Sequence, residues 1–180
     1  MLALHKFSLR LLISILVGGA FMVAAQAQGS AKVYKLAQAG IQFTVPAGWG
    51  VEKDKDGTVT VSKKENDTYV VIALIALPND PSMDLEHEFA TFSKALFDSI
   101  KKDWKTYKAD AVSKDTQNGM SIMVQTFTGT KPDAGGELEG LVILIGASKP
   151  VGVFAQRTKK YSDTLGKETS DLLSSIRKIE

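Results

Sequence analysis

The clearest early pattern in the chain is an alternation of apolar and polar residues over 41–45, with the sequence IQFTV. A period of two residues predicts a strand with one buried face. Pro46 ends this strand because proline lacks the amide hydrogen that a strand needs, and the glycines at 48 and 50 let the chain turn. Alternation resumes at 51–53 and at 58–62, and an Asp56-Gly57 turn separates these two short strands.

Two later segments are apolar at nearly every position, which is typical of strands covered on both faces. Residues 69–77 read YVVIALIAL and residues 141–145 read LVILI. Asn118-Gly119 and Lys149-Pro150 predict tight turns. Further strands are predicted at 108–114, 120–127 and 151–156. In the second of these, Met120, Ile122 and Val124 occupy one face, and Met123 and Phe127 occupy the other.

Apolar steps of three and four residues predict two helices. The first opens near Pro81, with Ser82 or Asp84 as its N-cap, and carries the stripe Leu85, Phe89, Phe92, Leu96, Ile100 and Trp104. The second starts near Ser162 and carries the stripe Leu165, Thr169, Leu172, Leu173, Ile176 and Ile179. Gly166 weakens the first turn of the second helix.

Together these elements predict an α+β fold, an α/β/α sandwich with a mostly antiparallel central sheet and two main helices. Links of hairpin length join most strands, and such links favour antiparallel pairing. Two amphipathic helices and two strands that are apolar on both faces indicate that helices cover both sides of the sheet.

The N-terminal residues 1–27 have the pattern of a cleaved export signal. A basic start precedes an apolar run from Leu11 to Ala25, which is too short to span a bilayer. Ala25-Gln26-Ala27 has the small-x-small form that signal peptidase accepts, so cleavage is predicted between Ala27 and Gln28. An uncleaved anchor is the alternative. Residues 28–38 are predicted to be a flexible lead-in, and 39–180 a single domain.

Charge and cysteine content exclude several function classes. The full chain has 22 Lys and Arg residues against 20 Asp and Glu, and the predicted signal holds two of the bases, so the mature chain is formally neutral. Neutrality favours neither nucleic acid nor anionic lipid as a partner. The chain has no cysteine, which excludes disulfides, thiolate metal sites, a thiol nucleophile and a lipoprotein anchor. We therefore expect a periplasmic or secreted protein.

The segment GIQFTVPAGW resembles the opening of the PsbP-like group, which includes DcrB-type periplasmic proteins and the Mog family of Ran-binding factors. The matching residues are Phe43, Val45, Pro46, Gly48 and Trp49. The C-terminal segment DLLSSIRKIE is also similar, and the order of elements extends the resemblance over 39–180. The resemblance implies an α/β/α sandwich and an accessory role in which the protein binds other proteins without catalysis. It carries no functional residue over to this chain.

No cluster of polar residues in the sequence has a composition and spacing that are specific to catalysis or metal binding. His87, the only histidine after the signal, points away from the apolar stripe, and one histidine without cysteine does not make a zinc site. The spacing of Asp80, Asp84, Glu86 and Glu88 suits helix capping better than calcium binding. Glu137 and Glu139 share a strand face, which permits acid–base chemistry but is also typical of a solvated edge. Asn66-Asp67-Thr68 is a formal glycosylation sequon. No cofactor or metal site is predicted.

Trp49 has two interpretations, since a tryptophan on a glycine-flanked turn either binds a partner or closes the core. The core interpretation is favoured, but Trp49 is kept as a candidate partner-binding residue with Lys131 and Asp133 of the flexible loop 131–136. The leading function is binding of another protein of the cell envelope without catalysis. The first alternative is a carrier of a small apolar or amphipathic ligand in a cleft lined by Phe89, Phe92, Met120 and Met123. The second is a hydrolase that uses Glu137 or Glu139.

Overall fold

The computed structural model of the chain describes residues 30–79, 84–132 and 136–180. The predicted cleavage site at Ala27 and Gln28, and also Asp80, Ser82 and Asp133, lie outside these ranges. The described strands are β1 (Lys32–Leu36), β2 (Ile41–Val45), β3 (Gly50–Lys53), β4 (Val59–Glu65), β5 (Thr68–Ala76), β6 (Thr106–Ala109), β7 (Ser113–Gln117), β8 (Met120–Thr130), β9 (Glu137–Ile145), β10 (Val151–Thr158) and β11 (Arg177–Lys178). The described α-helices are α1 (Leu85–Asp103) and α2 (Asp163–Ser174).

An antiparallel sheet of eight strands forms the centre of the fold, in the order β3-β4-β5-β10-β9-β8-β6, with β7 also paired to β8. Strands β5, β9 and β10 lie in the middle of the sheet, where neighbours on both sides satisfy their backbone groups. This position explains why the sequences of β5 and β9 are apolar on both faces. The predicted antiparallel sheet is confirmed.

The two helices cover opposite faces of this sheet, as the sequence predicts. Helix α1 packs Phe89, Phe92 and Leu96 against Phe127 and Phe154 of one face. Helix α2 packs Leu165 and Leu172 on the other face, together with β2. A second sheet, in the order β1-β2-β11, shares this layer with α2. The fold therefore has three layers, one of which mixes a helix with a small sheet.

Both helices begin with side-chain caps that the sequence partly predicts. Asp84 caps α1 by accepting a hydrogen bond from the amide of His87, and Ser162 caps α2 by accepting one from the amide of Leu165. Such caps satisfy amides that have no partner within the helix. Asp84, rather than the alternative Ser82, is the residue that precedes the helix. Within the described residues, neither helix is long and apolar enough to cross a bilayer.

Helix α2 ends earlier than its apolar stripe predicts. The stripe runs to Ile179, but the helix ends at Ser174, and 177–178 form β11 beside β2. The side-chain amides of Gln117 and Asn118 donate hydrogen bonds to the carbonyl oxygens of Leu173, Ser174 and Ile176. These donors stop the helix, while Ile176 stays fully buried beyond its end.

Residues 32–36, which the sequence places in a flexible lead-in, form strand β1 in the structure. Strand β1 pairs with the whole of β2, from Lys32 opposite Val45 to Leu36 opposite Ile41. Only Leu36 among its residues is buried. Because β1 is held by backbone pairing rather than by an apolar face, its sequence lacks the alternation that predicts a strand.

The strand predicted over 108–114 is two strands, β6 and β7, which pair with consecutive parts of β8. The interruption lies at 110–112. There the amide of Asp110 donates to the carbonyl of Thr126, and the Gln125 side chain donates to the carbonyl of Asp110. This irregular edge protects the sheet from pairing with other chains.

Candidate functional site

Trp49 is part of the core rather than an exposed contact residue. Its side chain is only 8% exposed and packs in the cluster beneath α2. Its indole nitrogen donates a hydrogen bond of 2.7 Å to Oε2 of Glu168 on α2. The turn that the sequence singles out therefore fastens β2 and β3 to the helix, which favours the core interpretation over partner binding.

The same oxygen of Glu168 also accepts a hydrogen bond of 2.8 Å from Lys63, whose ammonium group lies 3.1 Å from Glu65. Partial burial opposes the charge of Lys63, but these hydrogen bonds raise its pKa above the ordinary value. Hydrogen bonds from Lys63 and Ser162 lower the pKa of Glu65. This network, the corner network, consists of Trp49, Lys63, Glu65, Ser162 and Glu168, and it fixes the start of α2.

On the other flank of α2, part of the central sheet is left uncovered. The register places Lys108 opposite Thr128, Thr128 opposite Glu139 and Glu139 opposite Arg157, across β6, β8, β9 and β10. We call this surface the open face. Its residues, which share the α2 side of the sheet, are Lys108, Thr126, Thr128, Glu139, Leu141 and Arg157.

A groove of about 430 Å³ runs between the open face and α2. Gly166, Thr169, Ser170 and Leu173 of the helix form one wall. The floor combines apolar and polar side chains, among them Val70, Leu141, Ala155, Thr126, Glu139 and Arg157. The four strands beneath the groove span about 15 Å at a spacing of about 4.8 Å. The groove is partly open to solvent, which suits an extended ligand or a protruding segment.

Two charged side chains of the open face, Glu139 and Arg157, are paired with each other, whereas Lys108 is exposed. The guanidinium group of Arg157 contacts Oε1 of Glu139 at 2.6 Å and stacks 3.8 Å from the centre of the Tyr161 ring. Gly166 leaves room for that ring, since a Cβ atom there would lie 2.5 Å from it. Asp110 accepts a hydrogen bond of 2.6 Å from the hydroxyl of Thr126. These contacts hold the polar groups in fixed positions.

Glu137 and Glu139 lie on the same face of β9, as predicted, but each has a cation beside it. Glu137 forms a 2.6 Å ion pair with Lys159, whose pKa it raises. Glu139 is held by Arg157. Acid–base hydrolysis needs one protonated and one free carboxyl group, so this arrangement gives the hydrolase alternative no support.

The loop that carries the other candidate contact residues borders the open face. Lys131 follows directly after β8 and is half-buried, and β9 begins at Glu137. The backbone amide of Lys159 donates to the carbonyl of Glu137, so the end of β10 lies beside this loop. Asp133 lies outside the described residues.

The other polar candidates have local structural roles. His87 is exposed on α1, as its position off the stripe predicts. Asp84 caps the helix, and Glu86 pairs with Lys114 of β7. In the described ranges no three metal-ligating side chains come together. Asn66 occupies the left-handed region at φ 53 in the β4–β5 turn, which makes the sequon a tight turn.

The four residues proposed to line a carrier cleft do not share one side of the sheet. Phe89, Phe92 and Met123 belong to the core beneath α1, whereas Met120 is buried in the core beneath α2. Residues 120 and 123 differ by an odd number of positions, so they point to opposite faces of β8. The prediction of one cleft lined by all four residues is wrong. A shallow groove of about 420 Å³ does lie beside α1, and Phe89, Phe97 and Met123 line it.

Solved structures show which fold this chain has. It superposes on the solution structure of cyanobacterial PsbP (CyanoP) from Synechocystis sp. PCC 6803 with a TM-score of 0.59 and 16% identity, over 91% of this chain and 99% of that one. The crystal structure of the Ran-binding protein Mog1p from Saccharomyces cerevisiae gives a TM-score of 0.51 and 12% identity, over 84% and 96%. This chain has the PsbP/Mog1-like fold.

The shared fold confirms the resemblance that the residues of the opening turn suggest. In this chain the opening turn has a structural role, since Trp49 joins the first strands to the last helix. No family model matches the sequence, and no curated protein sequence does so either. At such low identity, the PsbP/Mog1-like fold alone assigns neither a partner nor a binding residue to this chain.

Proposed function

We propose that this chain is an exported accessory protein that binds another protein of the cell envelope and performs no catalysis. The open face is the observation that carries the proposal. It is a largely polar area of the sheet beside a groove. The Glu139–Arg157 pair and the neighbouring Thr126–Asp110 hydrogen bond are already formed in the free chain, which lowers the ordering cost of binding a protein there. Export is proposed from the basic start and the apolar run of the first 27 residues.

The geometry of the open face supports binding of another protein better than it supports catalysis. Glu139 of the open face is paired with Arg157, and the nearby carboxylates of Glu137 and Asp110 are held by Lys159 and by the Thr126 hydroxyl. His87 is exposed on α1, which covers the opposite side of the sheet from the open face.

Single cysteines test the proposal because the chain has none of its own. Thr128→Cys places a thiol on the open face, and Thr116→Cys places one on the α1 side of β7. Both threonines are exposed, which makes them a matched pair. Each variant is treated with a maleimide, once as purified protein and once within the envelope of the producing cells.

We expect both purified variants to react at similar rates. In the envelope, Thr128→Cys is expected to react several-fold more slowly than Thr116→Cys, because a bound protein covers the open face. Equal reactivity of the two thiols in both settings contradicts the proposal. Detection of the protein in the cytoplasm alone, with no exported form either cleaved or anchored, contradicts the export part of it.

A second candidate function is transport of a small amphipathic ligand, and the groove beside α2 is the observation that favours it. Its volume of about 430 Å³ is in the range of ordinary ligand sites. Its lining joins the apolar side chains of Val70, Leu141 and Leu173 to the threonine and serine hydroxyls. The site differs from the cleft that the sequence predicts, because it lies on the opposite face of the sheet from Phe89.

Native mass spectrometry of the exported protein separates the two functions. If the protein is a carrier, collisional activation in the mass spectrometer releases a small molecule from it. Leu141→Trp fills the groove and abolishes that release. Ala90→Trp, beside α1, is the matched control and leaves the release unchanged. A bare chain in all three samples removes the carrier function and leaves the protein-binding proposal in place.

A further inference from the structure

The charges of this neutral chain are separated between the two ends of the sheet. One end, which we call the basic end, consists of residues 101–106, 130–132, 136–138 and 158–161. These segments hold six lysines and two carboxylates, and the β4–β5 turn (64–67) at the far edge of the same end adds one lysine and two carboxylates, which leaves an excess of three lysines. At the opposite end, residues 54–58, 77–79, 84–88, 117–119 and 146–150 hold two lysines and five carboxylates. The difference arises from the fold, because these segments are distant in sequence.

Backbone pairing brings the segments of the basic end together. The amide of Lys105 donates to the carbonyl of Thr130, directly before Lys131. The amide of Lys159 donates to the carbonyl of Glu137, one strand further on. Helix α1 ends here with Lys101 and Lys102 in its last turn. A row of lysines therefore crosses the ends of β6, β8 and β10 at the border of the open face.

The lysines of the basic end are only partly neutralised. Lys159 pairs with Glu137, and Lys101 lies 5.5 Å from the centre of the Tyr107 ring. Lys102, Lys105 and Lys160 are exposed, and within the described ranges none of them forms an ion pair or a side-chain hydrogen bond, although the charge of Lys102 acts on Asp98 one turn earlier in α1. An excess of fixed positive charge at one end of a neutral protein attracts and orients an anionic partner.

The surroundings favour an acidic protein surface over a bilayer or a nucleic acid. Val33 and Val112 are the exposed large apolar residues of the described ranges, and neither lies at the basic end to insert into lipid. Trp104, the tryptophan at this end, packs against Phe127 and does not offer a free ring for a base. Asp103 and Glu137 interrupt the lysines, so the surface is a charge mosaic rather than a uniform phosphate-binding strip.

We infer that the basic end docks the chain onto a carboxylate-rich surface of its protein partner and so orients the open face toward it. This inference rests on the proposed function, since it names the chemistry of the partner that the open face meets. The attraction is strongest at low ionic strength, where the screening length is about 30 Å, and weakens as that length falls to about 8 Å at physiological salt.

Charge reversal tests the inference with two variants of equal net charge. The first is the triple variant Lys102→Glu, Lys105→Glu and Lys160→Glu at the basic end. The control is Lys35→Glu, Lys55→Glu and Lys149→Glu, three exposed lysines elsewhere. The probe is a polyglutamate peptide titrated into the exported protein and followed by amide chemical shifts. Vesicles of phosphatidylglycerol and phosphatidylcholine, and a short DNA duplex, are titrated separately.

We expect polyglutamate to shift the amides of 101–106, 130–132 and 158–161. The affinity should fall by about tenfold or more in the first variant and by less than about twofold in the control. Thr128→Cys combined with the first triple variant should also lose its protection in the envelope, while the same cysteine in the control keeps it.

Shifts spread evenly over the surface, or equal loss in both variants, overturn the inference. Binding to vesicles or DNA at a salt concentration where polyglutamate does not bind overturns the choice of an acidic protein. If Thr128→Cys stays protected in the charge-reversed variant, the basic end is not the docking element, and the proposed function stands. If Thr128→Cys is never protected, the proposed function fails even where polyglutamate binds.

Discussion

At the scale of single residues, the corner network explains the distinctive sequence of the β2–β3 turn, which contains Trp49. Trp49 closes the core, and the only hydrogen-bond donor of its side chain, the indole N–H, donates to Glu168. Glu168 also accepts a hydrogen bond from Lys63. One carboxylate oxygen thereby joins the β2–β3 turn, β4 and α2. A partner that needed the indole ring for contact would have to break this link.

Trp49→Phe is expected to lower the free energy of unfolding by about 1–2 kcal/mol, because it removes a hydrogen bond to a charged acceptor. Chemical denaturation measures the change. In a Glu168→Gln background the same substitution should cost clearly less, since the charged acceptor is already gone. Equal costs in the two backgrounds would show that the charge of Glu168 adds nothing to the hydrogen bond from Trp49.

The corner network also predicts how stability depends on pH. The folded pKa of Glu65 lies below its ordinary value of 4.5, so its contribution is complete above pH 4.5 and is lost as the pH falls through the folded value. The folded pKa of Lys63 is raised above 10.5, so its contribution is complete below pH 10.5 and is lost above it.

Comparison of the wild type with Lys63→Met by denaturation at several pH values checks this dependence. The stability difference should be constant between about pH 5 and pH 10 and should shrink at both extremes. Lys94→Met, which breaks an exposed pair with Asp98, is the control and should give a small difference at every pH. A difference that grows below pH 4 would show that the carboxylates do not stabilise the folded chain.

The side chain of Tyr107 lowers the stability of the native chain. Its hydroxyl is buried without a hydrogen-bond partner in the described part of the chain, and burial raises its pKa to about 12. Tyr107→Phe should therefore raise the free energy of unfolding by about 1 kcal/mol. The control, Tyr69→Phe, removes the acceptor of the Gln156 amide and should destabilise the protein. Destabilisation in both variants would mean that the Tyr107 hydroxyl is satisfied after all.

At the scale of elements, aromatic side chains lie against glycines in the sheet. A Cβ atom at Gly140 of β9 would lie 2.4 Å from the Phe127 ring and 2.3 Å from the carbonyl oxygen of Ala155. Gly152 of β10 gives the same space to Phe92 of α1. These glycines let the aromatic cluster beneath α1 lie directly on the strands.

Gly140→Ala is expected to destabilise the protein by about 1–3 kcal/mol, because neither the ring nor the backbone oxygen has room to move. Thermal denaturation measures the loss. Gly146→Ala, at the end of the same strand, meets its nearest neighbour at 3.4 Å and should change stability little. Similar stability of the two variants would contradict the close packing of Phe127 on β9.

The elements that the sequence predicts best are those whose burial leaves a periodic signal. Helix α1 and the central strands β5 and β9 are set by apolar side chains on one face or on both. Strand β1 was missed because backbone pairing, not burial, holds it. The open face was missed for a related reason. Thr126 and Thr128 read as the ordinary solvent side of a strand, and only the position of α2 shows that they border a groove.

At the scale of the whole molecule, the asymmetric cover of the sheet gives the fold its contact surface. Helix α1 lies over the aromatic cluster on one side, whereas α2 and the small sheet leave the open face uncovered on the other. The basic end borders this face. The molecule thus presents a polar surface with an excess of positive charge at one border, which suits specific docking better than general adhesion.

Photocrosslinking in the producing cells tests the central claim most directly, namely that the open face binds another protein. A photoreactive amino acid replaces Thr128 in one variant and Thr116 in the other, and the products are separated by mass. We predict a discrete adduct of higher mass through position 128 and none through position 116. No adduct through 128, or the same adducts through both positions, would contradict the claim.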